Sequence, residues 1–167
     1  MAIINLNPSI KPMDTVILPP EEDRQWAQVV GSLILHFGTL EYLTFIFIEL
    51  FSGAAARDAA QKDKFAKRIR TVKELIEKSS WSESQKNTAL DLWIKVDGHR
   101  EFRNEVAHNP FIIKRIADKN VMGILNVRHL RGPGPYTPPL ISLNDVILIY
   151  NKIGELVLAL NAVIKPG

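Results

Sequence analysis

The first long stretch of the chain repeats its strongest positions at alternating steps of four and three: Trp26, Val30, Leu33, Phe37, Leu40, Thr44, Phe47 and Phe51. Such spacing keeps one stripe on one side of a helix. Pro19-Pro20 followed by Glu21, Glu22 and Asp23 marks its start, because proline fits the first turn and acids there complement the helix dipole. Ser52-Gly53 ends it. A second helix is predicted from about Ala59 to Lys78, with Phe65, Ile69, Val72 and Ile76 at helical spacing. Ser79-Ser80-Trp81-Ser82 breaks it, and Ser82 with Gln85, or Ser80 with Glu83, offers the capping box of a third helix. That helix carries Leu90, Ile94, Phe102 and Val106 and must stop near Asn109, since Pro110 disfavours a helical residue before it. Phe111 to Ile116 and Val121 to Arg128 are rich in Ile and Val around a turn at Ala117 to Asn120, which predicts a β-hairpin over about 111–128. The Pro/Gly-rich stretch 131–139 reads as a surface loop. Ser142 with Asp145 then caps a last helix striped by Val146, Ile149, Ile153, Leu156, Leu160 and Val163, and Pro166 ends it.

The expected fold is therefore mainly α. It is a four-helix up-and-down bundle over residues 20–167, with a small β-hairpin inserted between the third and fourth helices. Residues 1–19 show no sustained period and read as an extended arm. The first helix is apolar on more than one side, adding Val29, Ile34, Leu35, Phe45, Ile46 and Ile48 to its stripe. One seam would not cover that surface, so the helix is expected to be central or shared with a second subunit as a homodimer.

Composition narrows this picture. With 167 residues, 46% hydrophobic and 23% charged, the chain can bury a core without covalent staples. Cysteine is absent, which excludes a disulfide framework, a thiolate zinc site and a cysteine nucleophile together. Gln25 to Leu40 carries no charge, yet His36 lies inside the run, Glu41 ends it, and the stripe describes a packed helix. No membrane span is expected, no signal peptide is recognised, and the reading is of a cytoplasmic domain.

The net charge of +3 is modest but unevenly held. Residues 57–78 carry eight basic and four acidic side chains, with Lys62, Lys64, Lys67, Arg68, Arg70 and Lys73 making up most of the excess. Lys114, Arg115, Lys119, Arg128 and Arg131 form a second basic segment. Two such segments can attract a polyanion, or they can be the solvated faces of a helix and a hairpin. The chain has no phosphate-binding glycine loop, no dinucleotide pattern, no H-E-x-x-H and no nucleophile elbow. His36, His99, His108 and His129 include no pair spaced as two ligands on one helix face, so neither a metal nor another cofactor is expected.

One constellation combines chemistries: Arg103-Asn104-Glu105-Val106-Ala107-His108-Asn109-Pro110, at the end of the third helix. Arginine offers planar donors suited to phosphate, and histidine can give or take a proton near neutral pH. Asn104 and His108 are one turn apart and share a face. Arg103 and His108 are five apart, roughly 140° around a regular helix, and can meet only through the length of arginine or a loosened last turn. The plainer reading is that a cationic side chain favours the helix C-terminus by about 0.3–1 kcal/mol and Asn-Pro is a stop.

Arg-Asn-x-x-x-His at the end of a bundle helix resembles the R-x4-6-H motif of HEPN domains (higher eukaryotes and prokaryotes nucleotide-binding). Asn104 stands where a polar residue commonly follows the arginine. The long first helix with Gly38-Thr39-Leu40-Glu41 also resembles small bacterial HEPN-like proteins. The resemblance covers roughly residues 20–165 as architecture, and only the six-residue motif is specific. It implies metal-independent RNA cleavage, as in many members, or scaffolding and partner binding, as in others. His108 would be the general acid/base, Arg103 would hold the scissile phosphate, and Asn104 would orient one of them or touch substrate. A homodimer with two motifs in one cleft is implied, with Lys67, Arg70, Lys114, Arg115 and His99 as weaker RNA contacts. A toxin or defence component with a protein antitoxin would fit the same frame.

Glu41, among apolar neighbours, is expected to need a buried partner, either Arg100 or Arg103. His99 either lines the motif's cleft or packs at the surface. His36 reads as a satisfied core histidine, and Trp26, Trp81 and Trp93 read as core anchors.

Overall fold

The computed structural model describes residues 20–108, 111–116, 119–124 and 140–164. The arm expected over 1–19 and the loop over 131–139 lie outside the described residues. The protein is mostly helical: α1 (Pro20–Ser52), α2 (Ala54–Ala60), α3 (Phe65–Lys78), α4 (Glu83–Gly98), α5 (Arg100–His108) and α6 (Leu143–Ile164). Three strands, β1 (Phe111–Ile116), β2 (Lys119–Ile124) and β3 (Leu140–Ser142), pair antiparallel in the order β1-β2-β3. Val121 stands opposite both Lys114 of β1 and Ser142 of β3. The hairpin expected over 111–128 falls partly outside the described residues, at 117–118 and 125–128.

Among the described residues six helices stand where four were expected: α2 lies almost wholly ahead of the expected start of the second helix at Ala59, and the expected third helix is divided into α4 and α5. The second helix breaks at 61–64. Gln61 and Asp63 donate backbone hydrogen bonds only three residues back, to Asp58 and Ala60, and Lys64 is extended at φ −66°, ψ 152°. This swing lets both Ala60 and Phe65 reach the core. The third helix breaks at Gly98-His99. Glycine is a poor helix former, and His99 sits at φ −92°, ψ −1°, with its N–H on Val96 O at 3.1 Å. The Ser82–Gln85 capping box is formed in both directions. Ser142 and Asp145 exchange the equivalent bonds at the start of α6.

The four long helices close a ring, α1 against α3, α3 against α4, α4 against α6 and α6 against α1. Leu33, Leu40 and Phe47 of α1 meet Ile69, Val72 and Ile76 of α3, Trp93 of α4, and Ile153 and Leu160 of α6 in one core. Each such side chain contributes about 1.5–3 kcal/mol when fully buried. Phe47 stands edge-on to Trp93 at 5.3 Å and to Trp81 at 6.3 Å. Trp26 and Trp93 are buried, and Trp81 packs half-buried against Phe47 and Phe51. The stripe of α4 is offset from the expected one. Ala89, Trp93 and Val96 face inward, and Ile94 is 59% exposed.

Apolar surface does remain outside the ring. Ile34, Leu35, Tyr42 and Leu50 of α1 and Leu148 and Leu158 of α6 are exposed. By length and composition alone, the Arg24–Ser52 part of α1 and all of α6 are long and apolar enough to cross a membrane. His36 is not the satisfied core histidine expected. It is half-buried and stacked on Tyr150, and its buried Nδ1 has no hydrogen-bond partner among the described residues.

Candidate active site

The break at Gly98-His99 starts a new helix, and α5 carries the whole motif. Glu101 lies in its first turn and His108 in its last, the charge order that the helix dipole favours. Val106 is buried and Phe102 half-buried, so one side of α5 is tied to the core. The other side presents Arg103, Asn104 and His108.

These three side chains converge. Arg103 Nη1 donates to Asn104 Oδ1 at 3.0 Å and stands 3.4 Å from His108 Nε2. The helix remains regular to His108, so the length of arginine closes the 140° gap. A guanidinium can only donate, so the contact is a hydrogen bond when His108 Nε2 presents its lone pair. His108 is exposed and Arg103 half-buried.

Glu41 of α1 anchors the arginine. Arg103 Nη2 donates to Glu41 Oε1, and Arg68 Nη2 of α3 donates to Glu41 Oε2 at 3.0 Å. Of the two partners expected for Glu41, Arg103 is the one found, while Arg100 pairs with Asp97 at 3.2 Å. Arg68 Nε also donates to Thr44 Oγ1 at 3.0 Å, and Thr44 in turn donates to the Glu41 carbonyl at 2.6 Å. Phe65 lies beneath both guanidiniums, 5.8 Å from that of Arg68 and 6.0 Å from that of Arg103. One carboxylate thus serves two permanent cations, and the trio keeps one surplus positive charge.

Of the weaker expected contacts, Lys67, Arg70 and His99 do not gather here. Lys67 is exposed and paired with Asp63 at 2.7 Å, and Arg70 is exposed two residues beyond Arg68, on another side of α3. Lys114 and Arg115 occupy β1 positions opposite Val121 and Asn120. His99 is half-buried at the α4–α5 junction and makes no side-chain hydrogen bond or ion pair with Arg103 or His108 among the described residues. Burial first, and the Lys152 charge second, hold its imidazole below the usual range. Among the described residues no group of three His, Asp or Glu could hold a metal ion.

Arg68 and Thr44 are the site residues that sequence reasoning missed. The signal existed: Arg68 falls three residues after Phe65 and one before Ile69, on the buried stripe of α3. A cation on such a stripe calls for a buried partner. Compared with known proteins, the chain matches no family model, no curated protein and no solved structure.

Proposed function

We propose that this chain is a metal-independent endoribonuclease of HEPN type, a helical bundle with a small hairpin between its last two long helices. It would work as a homodimer, as a cytoplasmic toxin or defence component held by a protein antitoxin. The observation that carries the reading is the convergence of Arg103 on both Asn104 and His108, with a surplus positive charge behind it.

In this mechanism His108 Nε2 accepts the proton of a ribose 2′-OH, and the oxygen attacks the neighbouring phosphorus. Arg103 stabilises the charge that grows on the phosphate oxygens, held in place by Asn104 and Glu41. The bond to the 5′ oxygen breaks, that oxygen takes up a proton, and a 2′,3′-cyclic phosphate remains. The exposed apolar residues of α1 and α6 would be the dimer surface, and the basic stretches would steer RNA toward the cleft.

A second reading has its own support. Glu41 already occupies Arg103, and Leu35 and Leu158 are 72% and 73% exposed, which suits a non-catalytic module that binds a partner protein. An RNA cleavage assay in EDTA, comparing the native chain with His108→Ala, separates the two. Chelator-resistant cleavage that leaves a cyclic phosphate and is lost in the variant supports the nuclease. A folded chain that cleaves no RNA across varied substrates supports the module.

A further inference from the structure

Arg68 is 6% exposed among the apolar residues of α3, a costly place for a side chain charged at every physiological pH. Its three nitrogens are all engaged, Nε by Thr44 Oγ1, Nη1 by the Asp63 carbonyl and Nη2 by Glu41 Oε2. The Phe45 ring lies 4.5 Å from the guanidinium on a fourth side. Such a fork holds one orientation. The one charged partner in it, Glu41, is shared with Arg103. If Arg68 were absent, the Glu41 carboxylate would face Arg103 alone and cancel its charge. With Arg68 present, the carboxylate is half spent on the buried side, and the surplus charge belongs to the more exposed arginine.

We propose that Arg68 is a positioning residue for the Arg103–His108 site: by taking Glu41 Oε2 it fixes the carboxylate that orients Arg103 and leaves Arg103 the positive charge an anion requires. The identity of that anion as an RNA phosphate rests on the ribonuclease reading; the positioning of Arg103 does not.

The test measures binding of a labelled 2′-O-methyl oligonucleotide, whose blocked 2′ oxygen prevents cleavage, together with the imidazole NMR resonances of His108. Arg68→Gln should weaken binding about fivefold, the size of one partly screened charge contact, and move the His108 resonances. Glu41→Gln combined with Arg68→Gln should recover affinity, because Arg103 no longer faces a carboxylate. A purely structural Arg68 would leave the double variant as weak as the single one, and that result overturns the proposal. If Arg68→Gln does not fold, Arg68→Lys carries the test. It keeps the charge but not the three-point fork, so affinity should hold while the His108 resonances still move. Wild-type affinity with unmoved resonances in either variant also overturns it. If the native chain neither binds the oligonucleotide nor cleaves RNA, the ribonuclease reading fails and the His108 resonances alone decide whether Arg68 positions Arg103.

Discussion

Glu41 and Arg103 stand 62 positions apart in the chain, and the carboxylate of the first receives the guanidinium of the second. The same carboxylate neutralises Arg68 from the other side, so removing it strands a buried cation. Glu41→Ala should therefore destabilise the fold by about 3 kcal/mol, the cost typical of breaking a buried pair from one side. Urea denaturation measures this. A loss below about 1 kcal/mol, the value of an exposed pair, would show that the trio is solvated in solution.

Arg103→Lys keeps the charge but not the fork that reaches Asn104, His108 and Glu41 together. On the ribonuclease reading, turnover should fall about a hundredfold, as when one donor to a developing oxyanion is lost. Single-turnover cleavage at saturating RNA tests it, and a variant as fast as the native chain would remove Arg103 from the transition state.

The rings of His36 and Tyr150 lie face to face at 4.8 Å and 9°, and a Cβ added at Gly154 would stand 3.1 Å from His36 Cε1. At Gly154→Ala the gain in helix propensity, about 1 kcal/mol, opposes that crowding, and thermal unfolding should change little. Gly154→Leu cannot be absorbed between α6 and the stacked rings and should cost about 1–3 kcal/mol. If Gly154→Leu melts with the native chain, α1 and α6 are not packed as described.

His99 ties stability to pH. Burial, with Lys152 second, keeps its folded-state value below the ordinary 6.5. Between the lowered value and 6.5 the unfolded chain binds more protons, so stability rises with pH across that window. The contribution is fully present above about 6.5 and is lost as pH falls through the folded value. Melting temperatures of the native chain and His99→Gln, compared from pH 8 down to 5 (about 1.5 units either side of the ordinary value), should converge toward the acid end. Curves that stay parallel throughout would place His99 in water.

Much of the architecture is a property of short stretches of chain. The stripes of α1, α3 and α6 and the Ser82–Gln85 and Ser142–Asp145 caps all involve residues within a few turns of each other. Backbone hydrogen bonding and 3.6-residue periodicity act at that range, so the sequence determines these features by itself. The breaks at 61–64 and at Gly98-His99 were harder to see, because continuing a helix and bending it to bury Phe65 or pin α5 differ only in what lies opposite. Arg68 shows the same division most clearly. Its place on an apolar stripe is visible in the sequence, but an arginine there can turn out to water or stay inside. What keeps it inside is a carboxylate 27 residues away on another helix. A buried charge is stable only where its counter-charge is delivered in space, and only the tertiary structure decides that.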